Sequence, residues 1–202
     1  MLEYSLPDVA TDMFALPFTM PLLGSMLLHD YETHRHLLGV GVLAMRLAAT
    51  AGLSREAALA LGQAALFHDV GKLHIDPMLL SAARPLDERE WYVMREHSEI
   101  GERMLRARGA AKLARIVRGH HERIDGSGYP DGLRGSAIPW QTRLLAVADA
   151  YDSLRAGRPY ALPLENHAAL ERLDAARHLF DPEAVEALVV TLSSREATTA
   201  IS

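Results

Sequence analysis

Two adjacent histidines, His120-His121, run into Glu122-Arg123-Ile124-Asp125-Gly126-Ser127-Gly128-Tyr129-Pro130, a glycine-rich segment that closes on Gly-Tyr-Pro. Neutral imidazole is a ligand for divalent metals. If the pair continues a helix, its rings point about 100° apart, too far to chelate one ion comfortably but suited to two neighbouring ions. The loop beside them is a candidate wall for a phosphate-containing ligand. Upstream, His68-Asp69 can place an imidazole on one ion while the carboxylate reaches a second, as carboxylates do in two-metal sites. Lys72 follows where an ammonium can meet a phosphate oxygen. Asp149 falls inside the otherwise apolar run 145–150, where an ionised carboxylate needs a cation; a metal answers that need. Glu32 and His36, four residues apart, share one helix face, with His34 on the other.

Taken singly, several of these have a plainer reading. Glu32 and His36 read as a solvated helix face, His68-Asp69 as a C-terminal turn beside a buried histidine, and His97 as a half-buried helix histidine. Their chemistry depends on being brought together, and so on the elements that carry them.

Those elements are expected to be helical throughout. Leu37, Val40, Leu43, Ala44, Leu47 and Ala48 recur at three-and-four spacing from Tyr31 onward, with Gly52 placed to end the helix. Ser54 caps a second helix over residues 55–68. Asp87 and Glu90 form a capping-box start for a third, running to about residue 108 with Trp91, Met94, Ile100, Met104 and Leu105 on its apolar spacing and His97 in its middle. A helix over 110–122, one opened by Pro139 that carries Asp149 and Asp152, one over 165–179, and one opened by Asp181-Pro182 complete the set. Residues 193–202 read as a frayed tail. The expected layout is an N-terminal apolar packing segment at 1–29, one domain at 30–192, and the tail.

Composition bounds what the domain does. A chain of 202 residues with 49% hydrophobic and 23% charged residues is an ordinary globular domain with one core. A net charge of -5 with two lysines, Lys72 and Lys112, offers no basic face for a nucleic-acid polymer. The absence of cysteine excludes disulfides, thiolate zinc sites and thiol nucleophiles, and it fits a reducing cytoplasm. Metal ligands must therefore be His, Asp or Glu, and ten histidines are many for this length. The apolar run 13–28 is broken by Pro17 and Pro21 and follows Glu3, Asp8 and Asp12, so it is neither a signal peptide nor a membrane span. It is expected to pack against the domain, a sister subunit, or a neighbouring sensory or receiver domain.

The stations in order are His36, His68-Asp69-Val70-Gly71-Lys72, His97, His120-His121-Glu122 with Asp125 to Pro130, Val147-Ala148-Asp149-Ala150-Tyr151-Asp152, and Arg158-Pro159-Tyr160. This order closely resembles the HD-GYP branch of the HD phosphohydrolase superfamily over about residues 30–185. The resemblance implies an all-α HD-superfamily helical bundle with a Gly-Tyr-Pro loop. It implies a metal-dependent phosphodiesterase of bacterial second-messenger signalling that hydrolyses cyclic di-GMP to the linear dinucleotide, with a second cut to GMP left open. The implied cofactor is two or three divalent ions, iron or manganese. Glu32, His36, His68, Asp69, His97, His120, His121 and Asp149 fall where that family places metal ligands, with Asp69 as the bridge and Glu32 admitting a third ion.

The resemblance further places Lys72 and Arg158 on substrate phosphate, Tyr129 near the substrate and Asp30 at the pocket rim. Asp69 and Lys72 are the implied catalytic pair. Water activated by the metals attacks phosphorus in line, and no protein nucleophile is needed. A diguanylate cyclase is an implied protein partner. Two positions depart from the family pattern: Gly39, where an arginine is usual, and Ala161, where a basic residue usually follows Arg-Pro-Tyr. Two rival readings stand beside the enzyme: a catalytically weak module that acts as a cyclic di-GMP receptor or interaction adaptor, and an HD hydrolase of another nucleotide.

Overall fold

A computed structural model describes residues 4–156 and 162–199, and among these it holds ten α-helices, two short 3₁₀ helices and no strand. The expected all-α bundle is present. Its axis is α3 (Tyr31–Thr50), which buries Leu37, Val40, Leu43, Ala44, Leu47 and Ala48. All of these but Leu37 pack in the core shared with α4 (Arg55–Phe67) and α8 (Trp140–Ala156). The expected caps at Ser54 and at Asp87 with Glu90 are present, and Asp30 adds one at α3. Asp30 accepts the Thr33 N–H at 2.9 Å to open α3, and Ser54 accepts the Ala57 N–H at 3.3 Å to open α4. At α6 (Glu88–Arg106), Asp87 and Glu90 exchange backbone and side-chain bonds, both of 2.9 Å.

The apolar run near the N-terminus folds as α1 (Leu6–Met13) and α2 (Thr19–His29). Val9, Met13 and Leu22 join the main core, while Leu23 and Met26 pack with Leu37. At roughly 1.5 to 3 kcal/mol for each fully buried aliphatic side chain, these contacts tie both helices to the domain. Among the described residues no helix is long and apolar enough to cross a membrane.

Three boundaries differ from the periodicity. The helix expected over 110–122 is α7 (Ala111–Arg118), so His120 and His121 lie in the turn that follows it. The reason is local competition: the His120 ring and backbone N–H both bond the Val117 carbonyl, which a continuing helix would give to residue 121. The helix expected over 165–179 is α9 (Asn166–Ala175). Past it the chain turns so that the Leu179 carbonyl accepts the Ile124 N–H at 3.0 Å. The tail expected to fray from 193 is helical to the end of α10 (Pro182–Thr199). Arg195, Glu196 and Ala197 are good helix formers, and an established helix extends without needing a buried face.

Candidate metal centre

Three histidines use one local device. His68 caps the end of α4, with Nδ1 2.8 Å from the Ala65 carbonyl. His97 in α6 has Nδ1 2.6 Å from the Met94 carbonyl, and His120 has Nδ1 2.5 Å from the Val117 carbonyl. In each case Nδ1–H donates to the carbonyl three residues back, which leaves Nε2 as the lone-pair nitrogen. Those nitrogens converge: His97 and His120 Nε2 lie 3.2 Å apart, and His68 Nε2 lies 3.3 Å from His36 Nε2. For His97 and His120, two lone pairs at that distance repel unless a cation stands between them. The donor set therefore fits metal ions.

The carboxylates complete the arrangement. Asp69 presents Oδ1 to His97 Nε2 at 3.3 Å and His120 Nε2 at 3.9 Å, and Oδ2 to His68 Nε2 at 3.4 Å. Its two oxygens thus face two different sets of rings, the geometry a bridging carboxylate needs. Asp149 approaches His36 Nε2 at 3.0 Å, His68 Nε2 at 3.9 Å and His121 Nδ1 at 3.9 Å. Ligand atoms lie within 4.8 Å of one another in three groups: Asp69 with His97, His120 and His121; His36 with His68 and Asp69; and His68 with His120 and Asp149. The expected divergence of His120 and His121 gives way to near contact, with ring centroids 4.0 Å apart and planes 43° apart, because the pair sits in a turn.

Glycine makes this convergence possible at one point. A Cβ on Gly71 would fall 1.9 Å from the His97 carbonyl oxygen, so only glycine lets the 3₁₀ helix Val70–His74 lie against the α6 backbone. That approach carries Asp69 to His97.

Charge divides the centre. Burial drives His97 down to about 4, His120 down to about 3 and His121 well below the ordinary imidazole value. For Asp69, burial pushes upward, but Lys72 and the surrounding histidines outweigh it and hold the carboxyl well below the usual range; His36 and its neighbours do the same for Asp149. Neutral rings and ionised carboxylates are the ligand-ready forms. His36 is the exception. Burial opposes its charge, yet hydrogen bonds to Asp149 and Asp152 raise it to about 9.

The centre forms the floor of a cavity of about 1080 Å³, whose walls include Asp30, Glu32, Lys72, Trp91 and Tyr129. Lys72 Nζ reaches Asp69 Oδ2 at 2.6 Å. Tyr129 lies against His121 with ring centroids 4.7 Å apart. Asp30 is engaged as the α3 cap. Glu32 does not join the cluster; its side chain is 69% exposed and pairs with Arg35 at 2.8 Å. Trp91 sits on the wall, 37% exposed, and not in the core its spacing suggested. Arg158 and Ala161 lie outside the described residues.

Two residues given no role from sequence support the site. Asp152 Oδ2 accepts from His36 Nδ1 at 2.7 Å. The departure at Gly39 makes room for it, since a Cβ there would come within 2.6 Å of Asp152 Oδ1. Glu122 is buried and accepts the Asp131 N–H at 2.7 Å and the Leu133 N–H at 2.9 Å, pinning the far side of the Gly-Tyr-Pro loop. The available signals were a carboxylate one turn beyond Asp149 and an acid adjoining the histidine pair.

A helical bundle with histidines and aspartates converging from five segments defines a class, and comparison with known proteins agrees. The HD domain family matches residues 19–184, and the chain belongs to that family, in its HD-GYP branch. It is 45% identical over 142 residues to the cyclic di-GMP phosphodiesterase response regulator RpfG of Xanthomonas campestris, covering 68% of this chain and 38% of that protein. It is 38% identical over 164 residues to a cyclic di-GMP phosphodiesterase of Thermotoga maritima, covering 79% and 45%. A 3'3'-cGAMP-specific phosphodiesterase 2 of Vibrio cholerae is also 38% identical over 164 residues, covering 78% and 31%. The chain thus spans less than half of these relatives. Among solved structures, Bd1817, an HDG"Y"P protein from Bdellovibrio bacteriovorus, shares the fold with TM-score 0.66 at 23% identity, covering 80% of this chain and 52% of that one.

Proposed function

We propose that this domain is a metal-dependent phosphodiesterase that hydrolyses cyclic di-GMP to the linear dinucleotide. The observation that carries the reading is the convergence of unprotonated Nε2 atoms with two ionised aspartates on the floor of a large cavity. His36, His68, Asp69, His97, His120, His121 and Asp149 would hold the ions, with Asp69 shared between two of them; iron and manganese are the metals the family resemblance favours. Divalent ions bound there supply positive charge to a phosphoryl oxygen and lower the pKa of water from about 15.7 toward about 7. Lys72, fixed by Asp69 at 2.6 Å, sets an ammonium beside the reacting phosphate. Tyr129 and His121 form one wall, and Asp30 lies at the rim.

Cavity size supports a substrate larger than a mononucleotide, since small-ligand sites usually span roughly 300–1,000 Å³ and this one reaches about 1080 Å³. Relatives named for cyclic di-GMP and for 3'3'-cGAMP support both as candidates. The test is anaerobic loading with iron or manganese, a panel of cyclic dinucleotides, cyclic mononucleotides and deoxynucleotides, and chromatography of the products. Linear dinucleotide from cyclic di-GMP is the expected result. Preference for 3'3'-cGAMP would reassign the substrate, tight binding without product would make the domain a receptor, and cleavage of mononucleotides alone would overturn the reading.

A further inference from the structure

Among the described residues, four lysine and arginine side chains line the cavity: Arg35, Lys72, Arg95 and Arg123. Arg35 is paired with Glu32 at 2.8 Å and Lys72 with Asp69 at 2.6 Å. Arg95 and Arg123 have no carboxylate partner among the described residues. Arginines elsewhere commonly carry one, as Arg84 does in Glu90 and Arg118 in Asp131. A guanidinium without a carboxylate partner on a cavity wall favours an anion that enters, and for the partly buried Arg123 the unpaired charge is also costly until one does.

The two unpaired arginines are also placed, not loose. Arg95 Cζ stands 5.3 Å from the centroid of the Tyr129 ring. Arg123 Cζ lies 4.9 Å from the Phe180 ring centroid, and its Nη1 donates to the Glu122 carbonyl at 2.9 Å and the His120 carbonyl at 3.4 Å, which leaves Nε and Nη2 without an acceptor among the described residues. Both sit within electrostatic reach of one phenol: burial raises the Tyr129 hydroxyl, and Arg123 and Arg95 pull it back. Tyr129 also meets His121, with ring centroids 4.7 Å apart, so the phenol adjoins both a candidate metal ligand and the arginines.

A cyclic dinucleotide carries two phosphodiesters, and only one can be attacked at a time. We infer that Arg95 and Arg123 form a seat for the second, unreacting phosphate, selecting doubly charged cyclic dinucleotides over singly charged esters without reading the base. This rests on the phosphodiesterase reading above.

The test compares Arg95→Gln, Arg123→Gln and parent on cyclic di-GMP, 3'3'-cGAMP and bis(p-nitrophenyl) phosphate, which has a single phosphodiester. For Arg95→Gln the ratio of kcat/KM for either cyclic dinucleotide to that for the single-phosphodiester probe falls by at least about tenfold, the scale of one charge-assisted bond. Arg95 is exposed, so this variant folds even if Arg123→Gln does not. Arg89→Gln, an equal charge change on the same helix outside the cavity lining, leaves the ratio where it was. Calorimetric binding of cyclic di-GMP to chelator-treated protein gives a second readout free of turnover, and it weakens in the same variants. An unchanged ratio with active parent overturns the seat while the function stands. A loss confined to one base composition shows that the arginines read a base and also overturns it. Parent that neither binds nor cleaves any cyclic dinucleotide removes the function and the seat together.

Discussion

His68, His97 and His120 are each fastened by a carbonyl three residues earlier, so a single turn of chain sets each ring. His36 is set instead by α8, with Asp152 at Nδ1 and Asp149 at Nε2. The charges divide the same way, His97 falling to about 4 and His120 to about 3 while His36 rises to about 9. One side of the centre is thus assembled locally from neutral donors. The other depends on α3 and α8 packing in register, and it holds its shape through opposite charges. The contrast separates what the chain builds by itself from what tertiary structure must add.

Asp69 spans both sides, and its loss should be the most damaging. Asp69→Ala is expected to lower turnover by at least about a thousandfold, the upper end for removing one preorganised charged group, while circular dichroism stays helical. Parent-like cleavage by the metal-loaded variant would break the bridge assignment. Asp152→Ala reaches only the tertiary side. Metal titration should show affinity weakened about 10- to 100-fold, as for other groups that orient a ligating histidine, with the His97 and His120 group still binding. Gly39→Ala forces Asp152 away and should weaken metal binding in the same direction while adding about 0.5 to 1 kcal/mol of helix stability. Metal affinity and melting temperature moving together would contradict this account.

Smaller effects lie on the loop. Glu122→Gln keeps one acceptor oxygen for two N–H groups in part-buried hydrogen bonds, and denaturant unfolding should show a loss of about 1 kcal/mol along with a higher KM. The smallest is the pair of Asp131 with Arg118. Their 2.8 Å hydrogen bond holds the Asp131 carboxyl below its ordinary value. Its contribution is therefore complete above the unfolded carboxylate value and is lost as pH falls through the lower folded one. For a carboxylate this exposed, stability measured between pH 6 and 2 should lose at most about 1 kcal/mol in the parent relative to Asp131→Asn.

The local side was legible from sequence because its information is local. His68-Asp69 before Gly71, His97 within a capped helix and His120-His121 before a glycine-rich loop are contiguous signals, and the α4 and α6 starts follow from Ser54 and Asp87. Asp152 was hidden because its partner lies 116 residues away and nothing in the spacing of α8 chooses which ring it meets. Gly39 looked like a missing cation until the folded chain showed a carboxylate occupying that space. The end of α7 was misjudged because side-chain capture of the Val117 carbonyl leaves no mark in the apolar period.

The Nδ1 anchors of His68, His97 and His120 have a further consequence for the life of the protein. Rings fixed by backbone carbonyls keep their aim whether or not an ion is present, so the socket outlasts its contents. An ion that suits the socket would therefore meet ligands already aimed, and its exchange would ask for no refolding of the domain.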